Sequence, residues 1–145
     1  MSEKEKVKVK ITTIHKTDEG EFPLIIEADG TYKKIGEIHY ITYEYIDEES
    51  KANIKTLIKC NGDSVEVISD GDSKYRMLFD EKIDHISKVD MGGYSMSLKQ
   101  CTNGVSLMDE GDNINIAIDY ELYQGDVLTS ACDMKINILR RIQWY

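Results

Sequence analysis

"IHYITYEYID", residues 38–47, decides between an open sheet and a closed one. Its even positions carry Ile38, Tyr40, Thr42, Glu44 and Ile46, and its odd positions His39, Ile41, Tyr43, Tyr45 and Asp47. A strand with one wet face alternates apolar and polar residues. Here both faces are partly apolar and each holds a carboxylate. Such a strand is either covered on both sides by other elements or belongs to a sheet curled around its own core.

Period-2 alternation runs through most of the chain on either side. Val7, Val9 and Ile11 alternate with lysines and Thr12, and Phe22, Leu24, Ile26 and Ala28 follow. Further rows are Ile54–Cys60, Val65 with Val67, Tyr75–Phe79, Tyr94–Leu98 and Val105 with Leu107. Ile114, Ile116, Ile118, Tyr120 and Leu122 make the clearest row, and Leu128 and Cys132–Ile138 close the series. Glycine-containing turns at 18–20, 61–62, 70–71, 92–93, 103–104, 110–111 and 124–125 separate the rows. Asn-Gly favours tight primed turns because both residues tolerate positive φ, so Asn61–Gly62 and Asn103–Gly104 read as hairpins. Ala28, Gly30 and Tyr32 keep one parity, which predicts a long strand bent at Gly30 with the reversal at Lys34–Gly36. A short turn is expected at 47–53, and a helical turn near 81–89 from the spacing of Ile83, Ile86 and Val89.

The expectation is therefore one all-β domain over residues 1–145: a single antiparallel up-and-down β-barrel of about 8–10 strands. A two-sheet sandwich is the alternative. With no covering helix, closure accounts for residues 38–47, and closure also removes exposed edges. The even face is expected to point inward, since the preceding strand has even parity and the turn between them is short.

Composition narrows the function classes. Lys plus Arg number 18 against 27 Asp plus Glu, a net charge of -9, which repels phosphate backbones and anionic membranes. The stretch Lys4–Lys10 reads as a solvated strand face, and Arg140–Arg141 is the other dense basic pair. Neither nucleic acid nor membrane is an expected partner. Cys60, Cys101 and Cys132 are widely spaced, with no CxxC, CxxH or HExxH pattern, and Cys60 and Cys132 share the apolar parity of their strands. No apolar leader or 18-residue apolar run occurs, so a cytoplasmic location is the expectation. His15, His39 and His85 fall on separate segments, and no metal or other cofactor is expected.

Nine tyrosines dominate the aromatic set. A tyrosine packs its ring against a core while its hydroxyl meets water or a ligand, as a cavity wall requires. Tyr40, Thr42, Glu44 and Tyr120 are the candidate ligand-binding residues. Glu44 shares its face with Tyr40 and Thr42, and an inward carboxylate needs a partner; Lys55 is its expected cross-strand neighbour. Asp119 is expected to face solvent. No catalytic motif is present.

"YITYE" at 40–44, "IKTLIK" at 54–59, "DG" at 70–71, "MLF" at 77–79, "SMSLKQCTNGV" at 95–105, "INIAIDYEL" at 114–122 and "MKINI" at 134–138 together resemble the YwiB-like family of small bacterial proteins, over nearly the whole chain. The resemblance implies a calycin (lipocalin-like) β-barrel and no particular chemistry. The chain departs from the family pattern at Tyr45, where a second acid is usual, at Ser69, where an arginine is usual, and in "VDMGGYS", where a tyrosine–proline–tyrosine–glycine-like stretch is usual. A ligand site built from those positions would be altered here.

Three readings follow. The first is a small cytoplasmic barrel that binds a small, partly apolar molecule in its interior. The second is an interaction module or homodimer, which predicts an exposed apolar patch or an unprotected sheet edge. The third is an enzyme using Glu44 with a tyrosine or histidine on a small substrate.

Overall fold

A computed structural model describes residues 4–71, 74–90 and 93–140. Ten antiparallel strands follow one another: β1 (Glu5–Thr17), β2 (Gly20–Ile35), β3 (Ile38–Ile46), β4 (Asn53–Cys60), β5 (Ser64–Asp70), β6 (Lys74–Asp80), β7 (His85–Asp90), β8 (Ser95–Asp109), β9 (Asn113–Gln124) and β10 (Val127–Leu139). Each pairs with its chain neighbour, and β1 pairs with β10, closing an up-and-down barrel. The first and last strands meet along an extended ladder from Lys8 opposite Leu139 to Lys16 opposite Ala131.

The turns decide which residues face inward. A two-residue turn sets residue i opposite i+3, so the inward set changes parity at every such turn. Gly36–Glu37 is one: Ile35 pairs with Ile38, and Tyr32 therefore faces the same side as Ile41. Even positions point inward on β2 and odd positions on β3, where His39, Ile41 and Tyr43 are buried and Glu44 is exposed. This corrects the expectation of an even inward face, which carried parity across the turn unchanged. Val9, Ile41, Ile58, Val65, Phe79, Ile116 and Ile136 meet inside from seven strands to form one core.

β2 runs unbroken through Gly30, as expected. At the bend the backbones crowd so closely that a Cβ on Gly30 would lie 2.3 Å from the Thr42 carbonyl oxygen. Asn61–Gly62 is a hairpin turn, with the Asn61 side chain accepting from the backbone N–H groups of Asp63 and Ser64. Asn103–Gly104 is not. β8 passes straight through it, and the register against β9 shifts between Thr102 and Gly104. The extra residue is a bulge that moves the inward set from Gln100 and Thr102 to Val105 and Leu107. The helical turn expected near 81–89 is also corrected: 81–84 form a turn and 85–90 are strand β7. Its inward residues are His85, Ser87 and Val89, two of them polar, and the buried Gln100 side chain receives the Ser87 hydroxyl at 2.8 Å.

The wall is uneven. β8, β9, β10, β1 and β2 have 12–16 residues each, whereas β3–β7 have 6–9. Among the described residues, Gly20–Asp29 of β2 ladder with β1 alone, because pairing to β3 begins at Gly30. Among the described residues, β6 and β7 join through a single ladder pair, Lys74 with Asp90, and an isolated bridge from Asp80 to Ile83. The outer face is charged. Lys8, Lys10 and Lys16 of β1 pair with Asp29 and Glu27 of β2 and Asp133 of β10, and Glu66 is held between Lys59 and Arg76. The segment Lys4–Lys10 is thus a solvated strand face, as its alternation predicts, and Arg141 lies outside the described residues.

Candidate functional site

One end of the barrel is plugged. The buried Tyr32 hydroxyl and His39 Nδ1 hydrogen-bond at 2.8 Å, and the Arg140 guanidinium lies 4.9 Å from the Tyr32 ring centroid. Arg140 also pairs with Glu5 and donates its backbone N–H to the Asp112 carbonyl at 2.7 Å. Burial holds the His39 imidazole below its ordinary range, which favours the neutral ring in this hydrogen bond. Below this plug Cys60, Val65, Ile114 and Ile138 fill the lumen.

The opposite half holds a cavity of about 190 Å³. Ile11, Ile26, Ile58, Val67, Met77, Phe79, Leu122 and Met134 supply an apolar lining. Thr13, His15, Tyr43, Tyr75 and Tyr120 supply the polar groups, and Leu24 stands where the cavity reaches the rim. Nearby, Phe22, Ile46, Val127 and Leu128 are exposed. No Asp, Glu, Lys or Arg among the described residues lines this space. The ring centroids of Tyr120 and Phe79 lie 4.4 Å apart, and Tyr43 stacks with Tyr45 at 6.3 Å. Burial pushes the Tyr43 phenol up to about 12 and raises that of Tyr120 as well. Both stay protonated; the Tyr43 oxygen accepts a hydrogen bond from the Thr56 hydroxyl, and the Tyr120 hydroxyl donates to Cys132.

Cys132 is the hub of a small polar cluster on the same wall. It sits directly opposite His15 on β1 and Tyr120 on β9. Its Sγ is 3.3 Å from His15 Nδ1 and 3.3 Å from Ser130 Oγ. Burial raises the thiol above its ordinary range, which keeps the sulfur protonated and a poor nucleophile. Cys60 is likewise buried and raised, at the plugged end.

Of the residues chosen from sequence, Tyr120 alone enters the cavity. Tyr40, Thr42 and Glu44 lie on the outer wall, because the turn at Gly36–Glu37 inverts the parity assumed for them. Tyr40 is sandwiched by the ammonium groups of Lys33 and Lys59, at 5.7 and 6.0 Å from its centroid. Thr42 hydrogen-bonds to Thr31. Glu44 accepts from Asn53 Nδ2 at 3.3 Å and faces Lys55 in register, beside an open external groove. Asp119 is exposed, as expected. His15, His39 and His85 end at the cavity, in the plug and under the β6–β7 join, and are not brought together. Sequence reasoning missed Tyr43, Tyr75 and His15 as cavity residues. Their signal was shared odd parity with Ile41, Met77 and Ile11, which a count of turn lengths along the chain exposes.

The barrel is similar to the crystal structure of the ywiB protein from Bacillus subtilis, with a TM-score of 0.84 at 18% identity over 96% of this chain and 94% of that one. The crystal structure of Neisserial surface protein A also matches, at 7% identity over 97% and 99% of the two chains. Its TM-score of 0.37 supports no conclusion about this fold. No curated protein matches the sequence. The model of the family described as "Domain of unknown function (DUF1934)" matches residues 9–136. Ten sequential strands, closure of β1 on β10 and that span agree with one another, and the chain belongs to the DUF1934 family.

Proposed function

We propose that this barrel is a binding protein that holds a small, partly apolar molecule in the half of its lumen away from the Arg140 plug, in the manner of the calycin barrels its sequence resembles. The single observation that carries this reading is the 190 Å³ cavity, apolar in most of its lining and fitted with a few convergent hydroxyls. That combination is what small-molecule sites use: apolar area for affinity, a few placed polar groups for orientation. Water alone fills such a space poorly, since a buried water needs two to four polar partners. The outer wall supports an aqueous setting, because its lysines, aspartates and glutamates occupy positions that a lipid-facing barrel fills with apolar side chains. A reducing, cytoplasmic compartment suits three unpaired cysteines.

Native mass spectrometry of freshly purified protein tests the reading, alongside the variant Met134→Trp, whose indole would occupy the cavity. A small molecule released from the wild type and missing from the variant is the expected result. An empty wild type whose melting temperature no small apolar probe raises would overturn it.

A second reading, a homodimer, is favoured by the unladdered β2 edge at Gly20–Asp29 with Phe22, Leu24 and Ile25 exposed along it. Light scattering at two concentrations separates the two, since the binding reading needs only a monomer. Carboxylate–tyrosine chemistry draws no support from Glu44, whose partners are Asn53 and Lys55 on the outer wall.

A further inference from the structure

Resting on the binding reading, we infer that the ligand is a neutral molecule about one ring in size that carries a hydroxyl or carbonyl oxygen, and that the site excludes organic ions of the same shape. Three observations bear on size, charge and polarity in turn.

The cavity has a volume of about 190 Å³. An engineered protein cavity of about 150 Å³ with an aliphatic lining takes up benzene. The space here therefore admits one six-membered ring with a small substituent and not a fused or long-chain molecule. Ligands of lipid size would need side-chain displacement in a wall packed on Phe79 and Ile58.

Charge is decided by the lining. The groups that face the cavity and can titrate are His15, Tyr43, Tyr75 and Tyr120, and no carboxylate, ammonium or guanidinium of the described residues joins them. An ion entering such a space loses its hydration without gaining a counter-charge, a loss that outweighs the burial of one ring. The lysine and acid ladders of the barrel lie on the outer face, on the far side of the wall.

Polarity follows from the hydroxyls. Tyr43, on β3, and Tyr75, on β6, approach the same space from different strands, and their phenols interact electrostatically with each other. The Tyr43 oxygen accepts from the Thr56 hydroxyl, so that bond does not use the Tyr43 proton, whereas the Tyr120 hydroxyl donates to Cys132. Since burial keeps Tyr43 protonated, its O–H is a donor, and the complement of a donor is a neutral oxygen acceptor on the ligand. A net hydrogen bond of about 1 kcal/mol corresponds to roughly fivefold in affinity.

The test uses the full chain with 13C-labelled methionine methyls. Met77 and Met134 line the cavity, while Met108 is exposed on β8 and serves as the control. Benzene, phenol, benzoate and benzylamine are titrated near neutral pH. The expected result is that benzene and phenol shift Met77 and Met134 but not Met108. Phenol should bind about fivefold or more tightly than benzene, and the two ions should leave all three methyls unmoved. The double variant Tyr43→Phe/Tyr75→Phe should bring the phenol-to-benzene ratio to about one. Phenol binding no better than benzene, an unchanged ratio in the double variant, or benzoate or benzylamine binding as well as phenol would each overturn the inference while leaving the binding reading intact. Methyls unmoved by all four probes would overturn the binding reading itself.

Discussion

A single added carbon at position 30 would press to 2.3 Å against the Thr42 carbonyl and to 3.0 Å against Val9. Neither neighbour can yield, since one is ladder backbone and the other core. Gly30→Ala should therefore cost about 1–3 kcal/mol, as overpacking does. Gly104→Ala has nothing within 4 Å to meet and should be nearly neutral. Urea unfolding of the pair checks the contrast, and equal losses would place the bend elsewhere. His39 gives a pH dependence. Burial, and after it the charge of Lys34, lowers its affinity for a proton below the ordinary 6.5. The unfolded chain then binds that proton first as pH falls. The stability owed to neutral His39 is complete above about pH 6.5 and is lost as the pH drops below it. His39→Gln should flatten the fall in urea midpoint between roughly pH 7.5 and 5 relative to wild type, and an unchanged slope would mean that the plug tolerates the charged ring.

At the scale of elements, the bulge in β8 lets polar Gln100 and apolar Val105 both face the lumen within one uninterrupted strand, Ser95–Asp109. Deleting Asn103 would remove the extra residue and leave Gln100, Thr102, Val105 and Leu107 in one simple alternation, all still facing the lumen in a regular ladder with β9. A loss of no more than about 1–2 kcal/mol is expected, since every core side chain keeps its face; chemical denaturation that finds a loss of about 4 kcal/mol or more would show that the wall needs the bulge for its bend. This element also marks where sequence reading stopped. Asn-Gly carries the same local message at 61–62 and at 103–104, and only the pairing with β9 separates a hairpin from a bulge. β7 was hidden for a related reason. Two of its three inward residues pair with Gln100 through polar groups, so no apolar row survived, and Ile83, Ile86 and Val89 suggested a helical spacing instead. Rows of isoleucine such as 114–118 were legible because their inward positions are uniformly apolar.

For the molecule as a whole, closure and strand number were readable because every strand had to bury one face and no helix was available to cover it. The cavity was not readable in the same way. Its position depends on the running sum of turn lengths, and one misjudged turn at Gly36–Glu37 moved three candidate residues to the outer wall. The uneven ladder of the wall has a further consequence for how the chain could be rewired. β1 and β10 lie side by side, tied by Glu5 and Arg140, while β6 and β7 share one ladder pair among the described residues. The first and last strands thus meet at one of the strongest lateral joins, and the 81–84 turn lies beside the weakest among the described residues. A circular permutant that links β10 directly to β1 and opens the chain within 81–84 would trade a long-range closure for a hairpin and put its break where the sheet is already nearly parted. Because strand pairing between distant segments slows folding, the rearranged chain should form its barrel faster than the original while keeping the same cavity.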